Sequence, residues 1–159
     1  MSTLNVTNVR CTNVQNSSGT NCLELDSSAR VKKNSQPAFY ARSNNGNFTI
    51  GNGADIPLED TRFNRGSHYN TGNYRFTAPV DGVYLFTFGT YLINMTGRCT
   101  FKLNGGSISG LQQLCTGTGS YAVIVNLSAN DYITVGDWQS ISGGVIFRGH
   151  TQFSGTLLS

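Results

Sequence analysis

The chain has 159 residues, 38% of them hydrophobic and only 12% charged, with a formal net charge of +3. That length fits one domain with a modest appendage, and it can bury a core without staples. Arg30, Lys32 and Lys33 form the only tight basic group, which argues against a nucleic-acid binder with its dense basic face and interleaved aromatics.

No apolar run approaches the roughly 18 residues of a membrane span. The start of the chain lacks a charged segment followed by an apolar block, so cytoplasmic synthesis without a secretory signal is expected. Nineteen glycines, together with many Asn, Ser and Thr residues, favour turns and strands over long helices.

Residues 1–35 read as a short β-type arm. Leu4, Val6 and Val9 are spaced like a strand, and the Asn16–Asn21 cluster is a turn signal. Cys22, Leu23, Glu24, Leu25 and Asp26 form a second strand, and Arg30–Lys33 a third. So few apolar side chains cannot hold an isolated fold in water. The arm therefore needs a partner surface, supplied by identical copies or by another protein, and Leu4, Val6, Val9, Leu23 and Leu25 are the expected docking residues.

From residue 36 the character changes. Pro37–Arg42 opens the main domain, followed by a turn at Asn44–Asn47, a short strand Phe48–Ile50 and a long loop Gly51–Glu59. Further strands are expected at Thr61–Tyr69, Tyr74–Ala78, Val83–Leu92, Arg98–Leu103, Tyr121–Leu127, Tyr132–Trp138, Gly144–Arg148 and Thr151–Leu158. Many short strands with such punctuation indicate a sandwich or barrel. The stretch 74–92 is the most informative. Tyr74 and Phe76, then Tyr84, Phe86, Phe88 and Leu92 beyond a turn at Pro79–Gly82, alternate so as to aim at one buried layer. A second sheet must cover that layer. Phe39, Phe153 and Leu157 complete the expected core of an all-β sandwich.

Four cysteines, Cys11, Cys22, Cys99 and Cys115, form no Cys-x-x-Cys pair, and only His68 and His150 accompany them, so a structural zinc site has no support. Cys11 and Cys22 lie where they could face each other across a hairpin, and Cys99 and Cys115 bracket Gly105–Gly106. Disulfides and reduced, buried thiols both remain open from spacing alone. No Gly-x-Ser-x-Gly elbow is present. His68 and His150 read as polar surface or edge residues. Asp55, Glu59 and Asp60 are the one acidic cluster, and their closeness in a loop is poor grounds for a glycosidase pair. No enzyme activity and no cofactor are expected. Tyr and Trp give rigid, amphipathic contact area; Trp138, Tyr69 and Tyr132 are the expected ligand contacts.

Several motifs in order resemble a known family. These are Pro37-Ala38-Phe39, then Asn70-Thr71-Gly72-Asn73-Tyr74-Arg75-Phe76-Thr77-Ala78-Pro79, then Gly82-Val83-Tyr84-Leu85-Phe86. Asn130-Asp131-Tyr132-Ile133 and the terminal Phe153-Ser154-Gly155-Thr156-Leu157-Leu158 follow. Together they resemble the globular head domain of complement component one (q subcomponent) and the related tumour necrosis factor jelly rolls, over residues 36–159. The family usually has Gly where this chain has Asn130, and Asn tolerates the left-handed turn better than most residues.

The resemblance implies a jelly roll of about ten strands, assembled as a homotrimer that binds proteins or glycans. Some members bind calcium near the trimer axis; here Asp55, Glu59 and Asp60 would be the metal candidates, although calcium needs six to eight oxygens. The opening Ser2–Val9 segment of the arm resembles the start of bacteriophage fibre and capsid-appendage proteins. The expectation is a non-enzymatic, homotrimeric phage protein on the virion surface. It would be a capsid head fibre or decoration knob, or a tail-fibre tip. The arm would hold capsid or tail proteins and the head would contact host surface glycan or protein. The alternative is a soluble, lectin-like recognition module of a cellular organism.

Overall fold

The computed structural model describes residues 13–15, 17–19, 21–33, 35–44, 46–47, 49, 51, 53–93, 96–109, 113–114, 119–142, 145–146 and 149–159. At 13, 21, 22, 92, 93, 96–98, 113, 114, 138–142, 145 and 146 the description covers the backbone alone. Leu4, Val6, Val9, Cys11, Phe48, Ile50 and Cys115 therefore lie outside it, as do the side chains of Cys22, Leu92 and Trp138. The chain divides into two units, Met1–Gln36 and Pro37–Ser159. Among the described residues there is no helix, and none long and apolar enough to cross a membrane.

The first unit is an antiparallel meander of β1 (Asn13–Gln15), β2 (Asn21–Leu25) and β3 (Val31–Lys32). Val14 pairs with Leu23, and Leu25 with Val31. The turn between β2 and β3 is closed by one carboxylate. Asp26 accepts hydrogen bonds from the Ser28 amide at 2.9 Å, the Arg30 amide at 3.0 Å and the Arg30 Nε at 2.7 Å. These bonds, the Arg30 ones foremost, hold the Asp26 carboxyl below its ordinary value.

The second unit is all-β. Its strands are β4 (Ala38–Arg42), β5 (Asp60–Arg65), β6 (Tyr69–Asn70), β7 (Arg75–Thr77), β8 (Gly82–Thr90), β9 (Leu92–Ile93) and β10 (Thr96–Leu103). After them come β11 (Gly106–Ser107), β12 (Gln113–Leu114), β13 (Gly119–Leu127), β14 (Tyr132–Ser142), β15 (Val145–Ile146) and β16 (Gln152–Leu157). One sheet runs β13-β8-β16-β4-β5. The other runs β11-β10-β14-β7-β6, with β12 also on β10, and β9 pairs with β15 separately. The final strand thus lies between β8 and β4, the crossed order of a jelly roll.

The aromatic layer sits between these sheets. Phe39, Phe76, Tyr84, Phe86 and Phe153 are fully buried, and Phe88 and Phe101 nearly so. Phe76 lies 5.1 Å from Phe39, 5.6 Å from Tyr84 and 5.4 Å from Phe86, centroid to centroid. Phe39 meets Phe153 edge-on at 4.9 Å. Such stacked and edge-to-face pairs add to the burial of each ring. Leu157 packs partly buried against the layer, and Cys99 is buried in it.

Three expectations need correction. Tyr74 is not a core residue: it closes the turn before β7 with φ 59° and is half-buried, so Phe76 alone carries the inward position there. The single strand expected over 61–69 is two, because Gly66 and Ser67 adopt positive φ (78° and 59°) and break it between β5 and β6. The strand expected at 83–92 ends at Thr90, and β9 leaves to pair with β15. Asn130 does take the left-handed conformation, with φ 73°.

Candidate functional site

The outward face of the five-stranded sheet is the main candidate surface. Alternation along each strand decides what it shows. Val123, Phe86, Gly155 and Phe39 form an inward row in register, so the rows on either side point out. One outward row is Ile124, Leu85, Thr156 and Ala38; the next is Ala122, Thr87, Ser154, Tyr40 and Phe63. Ile124 is 64% exposed and Phe63 52%. Arg65 pairs with Ala38 and carries the first row onto the edge strand β5, where it is exposed; the other side chains of the two rows carry no charge.

The middle of this face is a groove of about 210 Å³, floored at Gly155 and walled by Tyr40, Phe63, Leu85 and Thr156. Its few polar groups are already engaged. Thr87 Oγ1 and Ser154 Oγ share a hydrogen bond at 2.7 Å, the Tyr40 hydroxyl donates to Gln152 Oε1, and Thr156 Oγ1 donates to the Pro37 carbonyl at 3.2 Å. Charge appears at the rim, where Arg42 Nε meets Asp60 Oδ2 at 2.6 Å. A face charged only towards its β5 side, with satisfied hydroxyls and two large exposed apolar side chains, is suited to covering by protein.

The outward face of the other sheet is polar. Lys102 and Thr134 pair across β10 and β14. The loop before β5 crosses them, bridging Asp55 to Gly136, and the Ile56 amide donates to the Val135 carbonyl at 2.8 Å. Lys102 Nζ donates to the Gly53 carbonyl at 2.6 Å and to Asp55 Oδ1 at 2.9 Å, while Thr134 Oγ1 donates to the same Oδ1 at 3.0 Å. The Lys102 side chain is only 7% exposed, so this pair is a buried staple for the loop.

The structure does not bring the three acidic metal candidates together. Asp55 serves Lys102 and Thr134, Glu59 accepts the Asn44 amide at 2.6 Å, and Asp60 pairs with Arg42. Among the described residues no group of three His, Cys, Asp or Glu side chains is placed to hold a metal.

The three expected ligand contacts separate as well. Tyr69 is a core residue, 3% exposed, stacked on Phe39 at 4.7 Å, with its hydroxyl donating to the Leu58 carbonyl at 3.0 Å. Burial, with the nearby Glu59 charge, pushes its hydroxyl pKa far up. It is therefore corrected from contact surface to core. Tyr132 is half-buried, and the Arg75 guanidinium lies over its ring at 4.1 Å. The turn beneath it is fixed by Asp131 Oδ1 accepting from Asn104 Nδ2 at 2.7 Å, and by Asn104 Oδ1 accepting from the Tyr132 amide at 2.9 Å. Trp138 lies on β14, and its side chain is outside the described residues.

Sequence reading missed Ile124, Leu85 and Phe63 as surface residues. A signal was present for the first: Tyr121-Ala122-Val123-Ile124-Val125 is an unbroken apolar run, the mark of a strand covered on both faces.

The fold is thus a two-sheet jelly roll with one outer face charged only towards its β5 side. The C1q domain family matches over residues 38–158, and the chain belongs to that family. Domains of this class form trimers and are generally binding modules without enzymatic activity. No curated protein matches the sequence. Solved structures share the fold, the following three among them. The globular domain of zebrafish complement 1qA protein is 18% identical with a TM-score of 0.63, over 78% of this chain and 98% of that one. Eiger TNF from S. frugiperda is 13% identical with a TM-score of 0.57, over 78% and 93%. Rabbit GITRL is 10% identical with a TM-score of 0.53, over 77% and 94%.

Proposed function

We propose that this protein is a non-enzymatic homotrimer on the surface of a phage virion, made in the host cytoplasm. The jelly roll forms a knob, and the N-terminal segment attaches it to capsid or tail proteins. The observation that carries the trimer is the outward face of the five-stranded sheet. Ile124, Leu85 and Phe63 give it apolar relief, charge is confined to Arg65 and the Arg42–Asp60 pair towards its β5 side, and family membership supplies the threefold mode of covering it. The end of the second sheet that the loop before β5 leaves uncovered, at Arg75, Tyr132 and Asn104, is left for contact with host surface glycan or protein. Many weak contacts from repeated knobs add through avidity.

Two measurements test this. Light scattering should give the mass of three chains, and Ile124→Glu should give a folded monomer; a wild-type monomer would reject the trimer. Mass spectrometry of purified phage particles should find the chain on capsids. Finding it on tails alone moves it to the fibre tip. Its absence from particles favours the other use of the same fold, a soluble glycan- or protein-binding module of a cellular organism.

A further inference from the structure

The three-stranded meander has two unlike faces. Val14 stands opposite Leu23, and Leu25 opposite Val31, while Leu23 and Leu25 share a face of β2. The four side chains therefore make one apolar face two layers deep. They are 48%, 38%, 43% and 60% exposed within the chain. On the other face Glu24 stands opposite Lys32. An isolated meander of this size does not hold itself together in water with such a face uncovered.

The extent of the face bears on what covers it. Its apolar surface is on the order of 300 Å² per chain, against about 800 Å² per partner in a stable specific interface. That is too little to capture a free partner. It is enough for a partner that is already held nearby. β3 ends at Lys32 and β4 begins at Ala38, a span of at most roughly 20 Å when fully extended. Three joined heads thus keep three meanders within reach, at an effective concentration of about millimolar or more.

We infer that the apolar face of each meander is covered by the same face of two other copies. Val14–Leu23 and Leu25–Val31 then form stacked layers around a common axis, with Glu24 and Lys32 turned to water. This rests on the trimeric reading of the head and extends it into the arm. The meander is then a clamp between copies, and attachment to the particle falls to other parts of the arm.

The full chain carrying the photo-crosslinker benzoylphenylalanine at one position tests this, read as covalent dimers and trimers on a denaturing gel. Positions Leu25 and Val31 report the meander, Glu24 its polar face, and Ile124 the head. Interchain products are expected from Leu25, Val31 and Ile124, and several-fold less from Glu24. Products from Ile124 but none from Leu25 and Val31 overturn the clamp and leave the head trimer standing, with the face packed within its own chain. Equal products from Glu24 and Leu25 also overturn it. Products from Leu25 and Val31 without any from Ile124 uphold pairing of the arms and overturn the head reading. No product anywhere overturns both.

Discussion

A Cβ placed on Gly155 would stand 2.4 Å from Cδ1 of Phe86 and 2.8 Å from Cε1 of Phe39. The glycine lies on the central strand β16, in the same inward row as those two rings. Both rings are locked in the aromatic layer, so neither gives way cheaply. Gly155→Ala should therefore destabilise by about 2 kcal/mol, within the range of overpacking in a close-packed core. The urea midpoint should fall with the slope unchanged. A wild-type midpoint would show that the layer has slack.

Phe76 and Tyr74 provide a direct contrast. Phe76 is fully buried among Phe39, Tyr84 and Phe86, and its truncation to alanine should cost about 3–5 kcal/mol. Tyr74, half-buried in a left-handed turn, should cost within about 1 kcal/mol when replaced by alanine. Thermal melts of the two variants check this; equal losses would return Tyr74 to the core.

The pair of buried Lys102 and half-buried Asp55 should respond unequally to removal of its two halves. Asp55→Ala leaves the Lys102 ammonium buried with the Gly53 carbonyl as its remaining named acceptor, a loss of about 3 kcal/mol. Lys102→Met removes the charge and keeps the stem, so it should cost less than half of that. Urea melts of both variants decide the order. The reverse order would mean that the ammonium finds water when its partner goes.

Acid should weaken the Asn104–Asp131 turn in a defined window. Asn104 Nδ2 and the Ser128 amide both donate to the Asp131 carboxylate, and the Asn104 bond foremost holds its pKa below the ordinary 3.8. A carboxyl depressed in the folded state contributes stability above its unfolded value and loses it as the pH falls through its folded value. The stability gap between wild type and Asp131→Asn should thus be constant above about pH 5 and shrink below about pH 4. A gap that stays constant down to about pH 2 would remove Asp131 as the source.

The sandwich was legible because its largest signal is local. Alternating rings at Tyr84, Phe86 and Phe88 must share a face whatever else the chain does. Tyr74 escaped that logic because a turn ends the alternation one residue before β7. Tyr69 was misplaced for a related reason: a tyrosine's polar tip does not reveal whether a buried carbonyl, here that of Leu58, will receive it. The acidic cluster looked like one site because its members are near in sequence. In space each carboxylate meets a different donor, Lys102, the Asn44 amide and Arg42 in turn, and sequence spacing carries no record of that. The outward rows that hold Ile124 and Phe63 join strands far apart in the chain, so only the sheet order displays them.

The place of β16 between β8 and β4 also governs how the head comes into being. Until residues 152–157 are made, the pairs β13–β8 and β4–β5 have nothing to join them, and the rings of one half wait without the other. A growing polypeptide must therefore carry nearly the whole head unfinished. Birth of this domain on the ribosome is a single late event rather than a gradual accretion, and a premature stop shortly before Gln152 yields no smaller version of the head, only a sticky intermediate for chaperones and proteases.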